Sequence, residues 1–363
     1  MLPLPSPYTP TIESALYKQQ PSDFVVNEQL TIAFSETGEH LWLNLQKTGL
    51  NTNFVAKLLA QWAHIPIKDV GFSGLKDRHA VTTQWFSLRL PQKQAPQLDF
   101  ADFVADKLAA NEHIQIQDQH WHHKKLGRGS HQANQFIITL QEVIGNRADI
   151  GHQLALIQTQ GVPNYFGEQR FGHAANNLMA AIELFEHQTL NGKKIHRKYD
   201  QDKISLYLSA ARSEIFNAIL AKRVTVGNWQ TPKLGDVMNL AGSNSIFVPD
   251  HIDDTLLQRL AAGDIHLTGA MWGEGDLKSF GDIAALERQV IADNPAYQQL
   301  AAGLIAFGLK QQRRPLRLLA KQLAWHWQDE HTLVLDFILP RGSFATTLLA
   351  SLIAPTTLPQ YPQ

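Results

Sequence analysis

The chain has no cysteine in 363 residues, so it can build no disulfide framework, thiolate nucleophile or cysteine-based zinc or iron–sulfur site. That absence points to a reducing interior, and a cytoplasmic location is the expectation. Net charge is also lacking. Lys+Arg number 32 against 33 Asp+Glu, so the whole-molecule field cannot draw in an anionic partner and any nucleic-acid surface must be local. No apolar run reaches bilayer-spanning length, and no membrane association is expected. Met1 to Lys18 carries four prolines and no basic run leading into an apolar stretch, so it does not read as a signal peptide. What is present, 44% apolar and 18% charged residues, suits about two folded domains with real cores.

The first third reads as mixed α/β. In His40-Leu41-Trp42-Leu43-Asn44-Leu45 the leucines alternate with other residues, the pattern of a strand with one face on a core. Thr52 is placed to cap the next stretch, where Phe54, Val55, Leu58, Leu59 and Trp62 recur at helical spacing until Pro66 stops it. A second alternation, Trp85 to Leu90, follows Gly74-Leu75-Lys76-Asp77 and puts Asp77 in a loop feeding a strand, a place suited to reactive groups. Further alternations run from Phe136 to Leu140 and from Leu333 to Leu339. Between Gly161 and about Leu319 the texture turns helical. Leu206, Leu208, Ala211, Ile215, Phe216, Ile219 and Leu220 mark one buried stripe, and Ile283 to Ile291 suggests another. The expected architecture is α/β (α+β): a discontinuous domain of residues 1–160 and 320–363 with a mixed or antiparallel sheet, interrupted by a mainly helical insertion of residues 161–319.

Three stretches are locally basic. The first is His120-Trp121-His122-His123-Lys124-Lys125 with Arg128 and His131, the second runs Lys193 to Lys198, and the third holds Lys310, Arg313, Arg314, Arg317 and Lys321. One such cluster reads as well as a solvated face. Three together point to RNA or DNA, with Lys124, Lys125, Arg128, Lys193, Lys194, Arg197, Arg313 and Arg314 as the expected phosphate contacts. The 16 histidines do not assemble into HExxH or comparable ligand spacing, and the His120–His123 group lies among lysines that repel a cation. No metal is expected.

Five elements carry the chemistry. They are Lys18 with Asp23-Phe24-Val25-Val26-Asn27-Glu28; Gly74-Leu75-Lys76-Asp77-Arg78-His79-Ala80-Val81-Thr82-Thr83-Gln84; Leu126-Gly127 with Asn134-Gln135-Phe136; Gly161-Val162-Pro163-Asn164-Tyr165-Phe166-Gly167-Glu168-Gln169-Arg170-Phe171-Gly172; and Leu339-Pro340-Arg341-Gly342-Ser343-Phe344-Ala345-Thr346. In content and order they resemble the signatures of the tRNA pseudouridine synthase D (TruD) family, the second matching its GxKDxxAxTxQ element. The resemblance implies a pseudouridine-synthase-like catalytic domain with an inserted TRUD domain. It implies an isomerase that converts uridine to pseudouridine at position 13 in the D arm of tRNA, without cofactor or metal. The partner is then tRNA, and the expectation is a monomer that requires no protein partner.

Such a reaction detaches uracil from ribose, turns it and rejoins it through carbon, which calls for a nucleophile that bonds transiently and a pocket that retains the base. A carboxylate suits this. The motif makes Asp77 that nucleophile and leaves open whether it attacks ribose or the uracil ring. To stay ionised in a partly desolvated pocket Asp77 needs a cation nearby, and Lys18 is the matched candidate. The resemblance puts Phe24 and Phe344 at the uracil and Asn134 on the nucleotide, with Lys76, Gln84, Tyr165 and Arg170 as further substrate contacts; Tyr165 and Arg170 could equally pack the start of the insertion. Two places depart from the pattern: Ser22 stands where a Glu is usual, and Ala350-Ser351 replace an Arg-Glu pair. Two rivals remain, a nonenzymatic RNA-binding protein and a carboxylate-based glycoside hydrolase. The latter needs a second acid about 5 Å from the first, a role for which Glu28 is the matched candidate.

Overall fold

The computed structural model describes residues 4–191 and 201–354. In chain order its strands are β1 (Ser14–Tyr17), β2 (Phe24–Gln29), β3 (His40–Thr48), β4 (Val70–Phe72), β5 (Val81–Arg89), β6 (His113–His122), β7 (Ala133–Ile144), β8 (Val162–Pro163), β9 (Met238–Leu240), β10 (Ile246–Phe247), β11 (Ile265–Met271), β12 (Gln312–Pro315), β13 (Arg317–Leu318), β14 (Lys321–Trp327) and β15 (Leu333–Pro340). The helices are α1 (Thr52–Trp62), α2 (Phe100–Val104), α3 (Arg147–Gln160), α4 (Asn176–Asn191), α5 (Gln201–Thr225), α6 (Asp254–Ala261), α7 (Gly281–Ala292), α8 (Pro295–Ala306) and α9 (Ala345–Leu349). Among the described residues no helix is long and apolar enough to cross a membrane. The chain divides into two compact units. One holds Thr11–Gly151, Ala320–Gly342 and the described residues from Ile353; the other holds the described residues up to Pro10, His152–Leu319 and Ser343–Leu352.

The first unit is built on a mixed sheet in the order β14-β15-β7-β2-β5-β3-β6, with β1 added on β7 and β4 on β5. β2 and β5 pair in parallel, and the other pairings are antiparallel. Here β3 is covered on both faces rather than the expected one. Leu41, Leu43 and Leu45 pack with Val55 and Leu59 of α1 and with Phe86 and Leu88 of β5, whereas Trp42 turns the other way onto Trp85 and Leu126. Each buried aliphatic side chain contributes roughly 1.5–3 kcal/mol. α1 starts one residue earlier than expected. Asn51 is its cap, its Oδ1 accepting from Phe54 N at 2.9 Å; Asn serves there at least as well as Thr, which frees the Thr52 hydroxyl for other work.

The second unit combines helices with a four-stranded antiparallel sheet, β10-β9-β11-β12. The expected stripe on α5 is real: Ala211, Ile215, Phe216, Ile219 and Leu220 are buried. Leu206, at 43% exposed, falls outside it. Two guanidiniums form buried ion pairs in this unit, Arg223 on Asp236 at 2.7 Å and Arg313 on Glu287 at 2.9 Å.

Candidate active site

The loop from Gly74 to Asp77, between β4 and β5, is held at three of its four residues. The Gly74 carbonyl accepts from Gln84 Nε2 at 3.2 Å. The Lys76 amide donates to Thr52 Oγ1 at 2.9 Å, and that hydroxyl donates in turn to Gln84 Oε1 at 3.0 Å. The Lys76 ammonium reaches Glu28 Oε2 at 2.7 Å, and the Asp77 carbonyl accepts from Lys47 Nζ at 3.0 Å. Leu75, the residue left over, is 66% exposed. Gln84 faces the loop from β5 and is sealed from solvent. Its amide is occupied by Thr52 and Gly74, which corrects its expected role as a substrate contact to that of a loop support.

Asp77 Oδ2 lies 2.5 Å from Lys18 Nζ, with the lysine side chain 7% and the aspartate side chain 36% exposed. The carboxylate is thus open to an approaching group while its cation is not. Lys18 itself has φ +58°, a left-handed backbone that costs a non-glycine residue free energy; it turns the chain between β1 and the Pro21–Asp23 turn and carries the ammonium over the Phe24 ring, 3.9 Å from its centroid. Phe24 is 5% exposed and meets Phe136 edge-on at 6.0 Å. It forms the floor beneath the ion pair.

Behind this pair lies a second polar group, set by register: Glu28 on β2 is opposite Asn134 on β7. The Glu28 carboxylate is fully buried, bound by Lys76 and by the Trp85 amide at 3.2 Å. Its paired, sealed position corrects two expectations. Lys76, anticipated at the substrate, neutralises Glu28 instead, and Glu28 cannot be the exposed proton donor that a glycoside hydrolase requires. His131 completes the group, with Nδ1 2.5 Å from Ser73 Oγ and Nε2 3.5 Å from Asn134 Nδ2. Burial, then the charge of Lys76, lowers its pKa, and opposite the Asn134 Nδ2 donor the ring nitrogen Nε2 is the acceptor. Asn134 Oδ1 is buried and has no hydrogen-bond partner among the described residues. Among the described residues no cluster of three or more His, Asp or Glu is arranged to hold a metal.

The three basic stretches have different fates. Lys124, Lys125 and Arg128 are exposed, and the Arg128 guanidinium lies 3.8 Å from the Phe72 ring centroid. Lys193, Lys194 and Arg197 lie outside the described residues. The third stretch requires correction. The Arg313 side chain is 2% exposed and spends its donors on Glu287, Thr268 and the Leu277 carbonyl. Arg314 lies 4.0 Å over Phe166 and gives Nη2 to Asn164 at 2.9 Å; burial, then the charge of Arg170, pushes its pKa down to about 10. Although β12 is the edge strand of its sheet, both side chains turn onto partners within their own unit, Arg313 onto Glu287 and Arg314 onto Asn164 and Phe166, so neither is a free surface cation.

In the same unit the Tyr165 hydroxyl donates to the Pro5 carbonyl at 2.9 Å and is a packing group. Arg170 donates to Ser209 Oγ at 3.1 Å and lies between Phe166 and Phe344, 5.3 and 5.8 Å from their centroids. Phe344 is the residue before α9. Of the departures from the pattern, Ser22 is exposed, and the Ser351 carbonyl accepts from Gln153 Nε2. Lys47 escaped notice in the sequence, although a signal was present: it stands two residues after Leu45, on the parity of the buried leucines.

A family model described as tRNA pseudouridine synthase D (TruD) matches residues 9–187 and 192–352. A tRNA pseudouridine synthase D of Psychrobacter arcticus is 47% identical over 96% of this chain and 93% of its own length. That of Xanthomonas campestris pv. campestris is 43% identical over 95% and 93%. The crystal structure of a putative tRNA pseudouridine synthase D from Methanosarcina mazei superimposes with a TM-score of 0.69 over 97% of this chain and 95% of that one; at 19% identity it speaks for the fold. With the GxKDxxAxTxQ loop folded around Asp77 and both comparisons running nearly the full length, the chain belongs to the tRNA pseudouridine synthase D family.

Proposed function

We propose that this protein isomerises uridine to pseudouridine at position 13 in the D arm of tRNA, with Asp77 as the nucleophile and Lys18 as the cation that keeps it ionised. The observation that carries the reading is the 2.5 Å contact of Asp77 with Lys18 on a loop anchored from three elements. The names of the relatives supply the substrate class. The reaction breaks the bond from uracil N1 to the ribose, forms one from uracil C5, and moves a proton from C5 to N1, so atoms and electrons balance without any redox partner. Turning the base out of its stack costs a few kcal/mol. Asn134 Oδ1 accepts from the base, and the exposed Lys124, Lys125 and Arg128 hold the RNA backbone in the same unit. Arg170 and Phe344 are kept as substrate contacts on the strength of the motifs alone, and the protein works as a monomer.

The test is tritium release from tRNA carrying 5-tritiated uridine. Wild type should release the label from the D-arm uridine, whereas Asp77→Ala and Asp77→Asn should bind the same tRNA and release none. Turnover by Asp77→Ala would overturn the assignment.

A further inference from the structure

Lys47 has no part in the chemistry above, yet it is among the largest fully buried side chains of the chain, at 1% exposed. It lies mid-sheet, opposite Thr82 on β5 and Ile114 on β6. Its ammonium meets two main-chain oxygens, that of Leu50 at 2.5 Å and that of Asp77 at 3.0 Å. Leu50 immediately precedes the cap of α1, so one side chain ties the helix start to the nucleophile's own peptide. Glu28 and Asp77 are paired with Lys76 and Lys18, and among the described residues no carboxylate forms an ion pair with Lys47. Two carbonyls can be satisfied by a neutral donor. A desolvated ammonium is costly: burial pushes the Lys47 pKa down to about 8, helped by Lys76 and opposed by Asp77. What the charge adds is a positive potential at Asp77, delivered through a charge-assisted hydrogen bond to its carbonyl.

We propose that Lys47 is a positioning residue for the reaction: its ammonium fixes the main chain of Asp77 and helps to hold the Asp77 carboxylate charged and aimed. The inference rests on the reading of Asp77 as nucleophile. Lys18 touches the carboxylate directly, whereas Lys47 acts from beneath, out of reach of the substrate.

The experiment compares full-length wild type, Lys47→Gln and Lys47→Met on tRNA, with thermal unfolding measured in parallel. Gln keeps a donor and loses the charge; Met loses both. The expected result is a fall in kcat of roughly tenfold or more in both variants, with KM within about twofold of wild type and folded protein throughout. The wild-type kcat should also decline as pH rises through about 8, and this decline should be absent from Lys47→Gln. The charged groups facing Lys47 are Asp77 and Lys76, with Lys18 acting through Asp77; all three are present in both proteins and cancel in the comparison. A Lys47→Gln with wild-type kcat, an alkaline decline that persists in it, or a loss of kcat matched by the fraction unfolded would each overturn the inference. A wild-type chain that makes no pseudouridine overturns the reaction itself and the inference with it.

Discussion

Replacing Glu28 by Gln removes the charge with which Lys76 is buried. The carboxylate side chain is 0% and the lysine side chain 5% exposed, at 2.7 Å, so water screens neither. The Trp85 amide can still donate to a Gln oxygen, leaving the lost charge as the main change. Breaking a buried pair from one side costs on the order of 3–5 kcal/mol, a large share of the roughly 5–15 kcal/mol that holds a native protein together. Lys76→Met strands the carboxylate by the same logic. The double variant strands nothing and should recover most of the loss, because the desolvation of such a pair nearly offsets its attraction. Urea unfolding followed by tryptophan fluorescence checks this, since Trp42 and Trp85 pack in the same unit. Single variants each costing under about 1 kcal/mol, or a double variant that costs the sum of the two, would refute the reasoning. Lys76 would then be solvated and free to meet the substrate, as the family pattern by itself suggests.

Lys18→Met should bind tRNA and lose turnover; intact turnover beside an inactive Asp77→Asn would remove its electrostatic role. Changing Lys124, Lys125 and Arg128 together to Ala should weaken tRNA binding and flatten its salt dependence by roughly two to three counterions. Arg313→Ala should leave that slope unchanged in the folded protein and cost roughly 3–5 kcal/mol of stability. A slope changed by Arg313→Ala, or unmoved by the triple variant, would reverse the assignments. The folded pKa of Lys47, about 8, lies below its unfolded 10.5, so between those values the unfolded chain binds more protons and stability rises with pH. Wild type should therefore gain roughly 3 kcal/mol on Lys47→Met between neutral pH and pH 10.5; a wild type that gains nothing on the variant over that range, or loses ground to it, would contradict the burial of a charged amine.

The loop holding Asp77 was legible because a linear motif and the following strand fall together in sequence, although the strand starts at Val81, four residues before the alternation from Trp85 shows it. The pins on that loop were not legible. Thr52 and Gln84 are apart in sequence and meet only because α1 packs on the sheet beside β5, so Thr52 read as an ordinary helix cap. Arg313 and Arg314 misled for a related reason. A run of cations looks like a solvated face when the partners that bury it, Glu287 and Phe166, lie far away along the chain. The sheet of the second unit was hidden by brevity, since β9, β10 and β12 span only three, two and four residues, too few for alternation to register.

The site carries three lysines, Lys18, Lys47 and Lys76, against two carboxylates, Glu28 and Asp77, which leaves one positive charge in excess. Glu28 is committed to Lys76, so the excess bears on Asp77. On the proposed reaction, Asp77 gives up its charge when it bonds to the substrate. Whether it attacks the sugar or the ring, the electron pair it displaces ends on the pyrimidine. On that reading Lys18, in contact with the carboxylate before attack, then stands next to an anionic base, and Lys47 adds its positive potential from beneath the Asp77 main chain. Interactions that strengthen as charge moves from enzyme to substrate lower the barrier, whereas uniform ones do not. A lysine sealed from solvent is costly to the resting fold and has its use in that transfer, which is why removing the Lys47 charge should appear in kcat and leave KM nearly untouched.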